Sequence, residues 1–136
     1  MIFVRIVGGS IIRDVTIKVA DETDVEFIQS LVSLGMNRNV ASLITYLKDV
    51  KEGSSKDNEM ATGKKQAEVS IAMRTMREMN WVAEHEIKDE GKGRPLKIYA
   101  LRSTIDEIIG YYEAKKSQEA AQTMMAIQRL KELSSA

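Results

Sequence analysis

At 136 residues the chain is long enough for one compact domain with an accessory element and too short for two full domains. Its 43% hydrophobic and 29% charged residues describe an ordinary water-soluble composition, and no stretch approaches the roughly 20 apolar residues that a membrane span needs. Zero cysteines exclude disulfides and thiolate metal sites, and a single histidine, His85, cannot assemble a histidine cluster.

The opening residues, MIFVRIVGGS, lack the basic flank, long apolar run and small-residue cleavage site of a secretion signal, so a cytoplasmic location without membrane attachment is expected. Twenty basic and twenty acidic side chains cancel overall, but not uniformly. Residues 1–53 carry six basic and seven acidic side chains, residues 54–102 ten and eight, and residues 103–136 four and five. Only the middle segment is basic, by two charges, so the arrangement of its side chains matters more than their sum.

Residues 2–7 and 11–19 are rich in β-branched side chains and are separated by Gly8-Gly9-Ser10, the pattern of a β-hairpin over residues 1–20. Val15, Ile17 and Val19 alternate with Thr16 and Lys18, which makes one apolar face that must be covered. The T-x-x-E spacing of Thr23 and Glu26 predicts a capping box, followed by a helical stripe of Phe27, Ile28, Leu31 and Val32 that stops near Gly35. Asn37 is placed to cap a second helix in which Val40, Leu43, Ile44 and Leu47 recur at helical steps. Residues 51–55 read as a polar loop leading to Ser54 or Ser55 as the cap of a short third helix that ends at Gly63.

A fourth helix is expected over residues 66–79. At 100° per residue Val69, Ala72, Met73 and Met76 share one face, the ordinary signature of a helix buried along one side. The opposite face presents Ala67, Ser70, Ile71, Arg74 and Glu78. Small and hydroxyl-bearing side chains let a helix approach base edges, an arginine offers a bidentate fork to guanine, and an isoleucine fits a thymine methyl. The plainer reading has Ile71 meeting a neighbouring element and Arg74 as a solvated charge.

Asn80, tolerant of the left-handed conformation, is placed to end this helix, and Trp81 and Val82 open a strand. The segment KDEGKGRPLK, residues 88–97, has the glycines and the one proline of a turning tip, and Ile98, Tyr99, Ala100 and Leu101 return as a second strand. Lys92 and Arg94 fall on that tip, where basic side chains reach phosphates or a narrow minor groove, and Asp89 and Glu90 fall nearer its base.

A helix followed directly by a basic hairpin is the layout of a winged helix. Residues 24–102 resemble the winged helix-turn-helix of the MarR, ArsR and TrmB types of transcriptional regulator, especially the small one-domain versions common in archaea. The likeness rests on SSKD and ATG before the fourth helix, EVSIAMR within it, NWV after it and GKGRPLKIYAL in the hairpin. It implies that residues 66–79 form the recognition helix, residues 92–97 the wing, and double-stranded DNA the partner. The implied DNA-contacting set is Lys64, Lys65, Gln66, Ala67, Ser70, Ile71, Arg74, Lys92, Arg94 and Lys97. The metal ligands of the ArsR type and the long sugar-binding domain of full-length TrmB proteins are absent from this sequence. Asn58 and Lys64 stand where the family pattern has apolar residues; a polar group in the core needs a hydrogen-bond partner, and Met60 is the nearest apolar substitute.

Ser103 or Thr104 caps a long terminal helix running towards Leu133. Ile105, Ile108, Ile109 and Tyr112 form one apolar stripe, and Ala120, Met124, Ile127 and Leu130 another beyond a polar interruption at residues 115–119. Such a helix has little core of its own, so homodimerisation through Ile105, Ile108, Ile109, Tyr112, Met124, Ile127 and Leu130 is expected, with folding back across its own domain as the alternative.

Enzymatic readings are thin. Gly63-Lys64-Lys65 echoes a phosphate-binding loop, but the glycine required five residues earlier is Asn58 and Lys65 replaces the metal-binding hydroxyl. Glu84, His85 and Glu86 alternate faces on a strand and do not converge on a metal. No cofactor is expected, and the sequence specifies no small-molecule effector. The expected fold is α+β and mainly helical: a β-hairpin over residues 1–20, a winged helix-turn-helix over 21–102, and a dimerisation helix over 103–136. The expected function is a homodimeric regulator that reads double-stranded DNA. The rival is a winged-helix module of the transcription machinery that binds protein, a reading favoured by the near-neutral charge and by Asn58.

Overall fold

The computed structural model describes residues 2–6, 15–88 and 95–136. The chain divides into two compact units, Met1–Ser103 and Thr104–Ala136.

In the first unit, strands β1 (Ile2–Ile6) and β2 (Val15–Val19) pair antiparallel with Ile2 opposite Val19 and Ile6 opposite Val15. The Gly8-Gly9-Ser10 turn and the expected start of the second strand at Ile11 lie outside the described residues. Helix α1 (Glu22–Ser33) begins two residues before the expected Thr23 box could act. Asp21 is its cap: the Asp21 carboxylate accepts from the Asp24 N–H at 2.9 Å while the Asp24 carboxylate accepts from the Asp21 N–H at 3.1 Å. The D-x-x-D pair therefore displaces T-x-x-E by closing both reciprocal bonds two residues earlier.

Helix α2 (Arg38–Val50) starts where Asn37 accepts from the Asn39 and Val40 N–H groups, as the cap spacing predicts. Its Val40, Leu43, Ile44 and Leu47 are all buried and form the centre of the core. Residues 52–54, expected as loop, form strand β3 (Glu52–Ser54) instead. Their strand character comes from pairing, with Glu52 opposite Ala100 and Ser54 opposite Ile98, and not from their own polar side chains.

Ser54 then caps helix α3 (Ser55–Thr62), accepting from the Asp57 N–H while Asp57 accepts from the Ser54 N–H. Gly63 ends α3 in the left-handed conformation, φ 68°, which a glycine adopts without steric cost. Asn58 is wholly buried and is held as a polar core residue: its amide Nδ2 donates to the carbonyls of Ser54 at 2.7 Å and Gly53 at 3.3 Å. Met60 does not substitute for it, since Met60 is half exposed on the other side of the helix.

Helix α4 (Gln66–Glu78) buries Val69, Ala72, Met73 and Met76, the four positions its helical spacing selects. Met79 is the C-cap and Asn80 follows at φ 60°. Strands β4 (Val82–Lys88) and β5 (Pro95–Leu101) pair antiparallel, and β5 is the central strand of a sheet ordered β3-β5-β4. Pro95, Leu96 and Lys97, expected in the turning tip, belong to β5, with Pro95 at its first residue, where the missing N–H is tolerated. Trp81 precedes β4, and its carbonyl accepts from the Arg102 N–H at 2.8 Å, closing the base of the hairpin. Helices α2 and α3 pack on β2 and β5, and α4 on α2, α3 and β4. This is a winged-helix-like α+β arrangement.

The second unit is a single helix, α5 (Ile105–Ser135), whose cap Thr104 accepts from the Glu107 N–H at 3.1 Å.

Candidate nucleic-acid interface

One face of α4 is turned into the core and the other to solvent. Gln66, Ala67, Ser70, Ile71 and Arg74 are all exposed, and Ile71, an apolar residue, is 63% exposed among the described residues. Lys65 is exposed and Lys64 half-buried at the start of the same helix. These seven residues lie on one continuous stretch, so the expected major-groove set is brought together on α4 and the turn before it.

The helix start is braced by Glu68, whose carboxylate accepts from the Lys65 N–H at 3.0 Å. That hydrogen bond, with the charges of Lys64 and Lys65 and the Asn39 side chain, holds the Glu68 carboxyl below its ordinary value. Asn39 stands in the first turn of α2 and Glu68 in the first turn of α4. Between them runs a groove of about 180 Å³ lined by Asn37, Asn39, Val40, Glu68, Ile71, Ala72 and Thr75.

The hairpin is fastened to α4 by an ion pair, Arg77 Nη1 to Glu84 Oε2 at 3.3 Å. Glu84 stands opposite Tyr99 in the β4–β5 register. Burial, and next the neighbouring Glu84, push the Tyr99 hydroxyl above its ordinary pKa, while Ser55 at the start of α3 pulls the other way. Helix α4, the hairpin and the start of α3 thus meet around Arg77, Glu84, Tyr99 and Ser55. None of these four, nor Asn39, stands out in the sequence. The one available signal was hairpin register, which pairs Glu84 with Tyr99 once the strand ends are known.

Of the expected wing residues, Lys97 is exposed on β5 opposite Glu86, which is also exposed. Lys92 and Arg94 lie outside the described residues.

Neither a protein-family model nor a curated protein matches this chain. A solved structure described as that of a transcriptional regulator is similar over 74% of this chain and 68% of its own, at 17% identity and a TM-score of 0.47.

On α5, Ile108 and Tyr112 are buried and Ile105 is half-buried. Ile109, Met124, Ile127 and Leu130 are exposed, as are Met125 and Leu133, two apolar residues outside the expected dimer set. No helix among the described residues is long and apolar enough to cross a membrane. Among the same residues no group of three or more acidic or histidine side chains is arranged to hold a metal ion.

Proposed function

We propose that this protein is a transcriptional regulator of the winged helix-turn-helix type, akin to the small MarR, ArsR and TrmB regulators, that binds double-stranded DNA as a homodimer. In this reading residues 1–20 are an accessory hairpin, residues 21–102 the DNA-binding domain and residues 103–136 the dimerisation element. Helix α4 enters the major groove, and the β4–β5 hairpin, with Lys92, Arg94 and Lys97, follows backbone or minor groove.

The observation that carries the reading is the division of α4. Its four buried residues fix the helix against the core, while Ser70, Ile71 and Arg74 stand free on one exposed stripe with Lys64 and Lys65 at its start. The chemistry of that stripe suits a base-pair edge: a fork for guanine, a methyl contact for thymine and a short hydroxyl that allows close approach.

A second reading has one observation in its favour. The groove beside Ile71 is lined by Val40 and Ala72 as well as by polar side chains, a surface that also suits an apolar residue of a protein partner. Salt separates the two. Binding to a library of genomic DNA fragments at two salt concentrations should weaken steeply as salt rises, because phosphate contacts release counterions. Absence of DNA binding at the lower salt would favour the protein partner.

A further inference from the structure

Helix α5 repeats its own surface after five turns. Eighteen residues at 100° each return to the same angle, so Ile109 and Ile127 share one angular position, as do Tyr112 and Leu130, and Glu113 and Lys131. The apolar stripe therefore resumes at the same angle beyond the polar residues 115–119, but it is covered unequally. Tyr112 is buried, whereas Met124 is 64% and Leu130 65% exposed, and Ile109, Ala120 and Ile127 are exposed beside them. A run of large apolar side chains in this state calls for a partner.

Charge selects which partner, and in which direction. Residues 105–114 carry three carboxylates, Asp106, Glu107 and Glu113, and no base, while residues 115–136 carry four bases and two acids. The two halves are of opposite sign. The five-turn repeat places an acid, Glu113, and a base, Lys131, on the same flank about 27 Å apart along the axis. A second α5 laid parallel would set Glu113 against Glu113 and Lys131 against Lys131. Laid antiparallel, it sets each Glu113 against a Lys131.

We infer that the exposed stripe of α5 is covered by the α5 of a second copy running antiparallel, with the two-fold axis near residue 122, so that Glu113 of each chain meets Lys131 of the other. This rests on the homodimer reading above and adds its direction. Ala120 of one chain then faces Met124 of the other on both sides of the axis, and Ile127 lies against the aliphatic stem of Lys116. Ile108 and Tyr112, already buried, take no part in the seam. The same-sign repulsion that a parallel pair would carry at both ends is absent.

The chain has no cysteine, so single-cysteine variants report only the introduced pair. Sedimentation of the full chain comes first: a dimer is expected, and a monomer would remove both the dimer and this arrangement. Under oxidation, a mixture of Glu113→Cys and Lys131→Cys chains should form the mixed disulfide, and neither variant alone should cross-link. Cross-linking of each variant with itself would keep the dimer but make it parallel, overturning the inference alone. Reversal of the charges gives an independent measurement. At low salt Glu113→Lys should raise the dimer dissociation constant by about tenfold, and adding Lys131→Glu should restore it. A Glu113→Lys chain that dimerises as well as the original, or a double variant no better than the single one, would contradict the antiparallel pairing.

Discussion

Inside the core, the Asn58 amide donates to the Ser54 carbonyl at 2.7 Å and so ties the second turn of α3 back to the end of β3. The same amide reaches the Gly53 carbonyl at 3.3 Å, and its Oδ1 has no hydrogen-bond partner among the described residues. Gly53 is what allows so close an approach: a Cβ there would lie 3.3 Å from both Asn58 Nδ2 and the Tyr46 ring. Because β3 pairs with β5, this amide holds the helix-turn-helix against the central strand of the winged sheet.

Asn58→Asp should therefore destabilise the fold by about 3 kcal/mol or more, since it removes the donor and buries a charge. Asn58→Ala should cost about 2 kcal/mol through the lost hydrogen bonds and the space left behind. Urea unfolding at neutral pH measures both, and an Asp variant as stable as the Ala variant would show that the site is wetter than its burial indicates.

Lys51 ends α2 with φ 72° and ψ −50°, a conformation that is strained for any residue with a Cβ. Lys51→Gly should relieve that strain and stabilise the protein by about 1 kcal/mol even though glycine loses more entropy on folding. The midpoint of thermal unfolding should rise by roughly 3 to 6 °C, and a fall would mean that the lysine stem contributes packing that outweighs the backbone cost.

The parts of the fold that were legible in sequence are those held by local chemistry. Asn37, Ser54 and Asn80 act where their side chains or backbone tolerance place them, and the apolar spacing of α2 and α4 identifies their buried faces. What was not legible depends on partners distant in the chain. Glu52, Gly53 and Ser54 have little strand propensity and become a strand only because Ala100, Tyr99 and Ile98 present free edge groups to them. Pro95 reads locally as a turn residue, yet the pairing with Lys88 extends β5 to include it. At the candidate interface the exposed face of α4 follows from its periodicity, whereas the Arg77–Glu84 pair joins two elements whose relative placement only the tertiary fold sets. The D-x-x-D box at Asp21 shows a third kind of difficulty, two overlapping cap signals of which the one with both reciprocal bonds prevails.

Alkaline pH should loosen the hairpin before the rest of the domain. The Tyr99 hydroxyl is raised above its ordinary value by burial and then by Glu84, so the folded state holds that proton more tightly than the unfolded chain. The corresponding stability is fully present below the ordinary tyrosine pKa of about 10 and is lost as pH rises through the higher folded value. Tyr112 is shifted in the same direction by its own burial. Tyr99→Phe should cost about 1 kcal/mol at neutral pH through the lost hydroxyl interactions, and it should flatten, without abolishing, the decline above pH 10. An unchanged alkaline slope in the Phe variant would assign the decline to other groups.

Neighbouring residues on α4 allow reading to be separated from folding. Met73 is fully buried and Arg74 is exposed, although they are adjacent in sequence, because one step of 100° carries the side chain from the core face towards solvent. Met73→Ala should lower stability by about 2 to 5 kcal/mol through loss of packing, leaving the sequence preference of the molecules that remain folded unaltered. Arg74→Ala should leave stability within about 0.5 kcal/mol and instead erase discrimination at one base pair, worth roughly 1 to 3 kcal/mol at that position. Affinity selection from a randomised DNA library, run beside urea unfolding of each variant, measures both quantities. If Arg74→Ala selected the same sequences as the original protein with the same stringency while remaining folded, the exposed face of α4 would not be the surface that reads DNA.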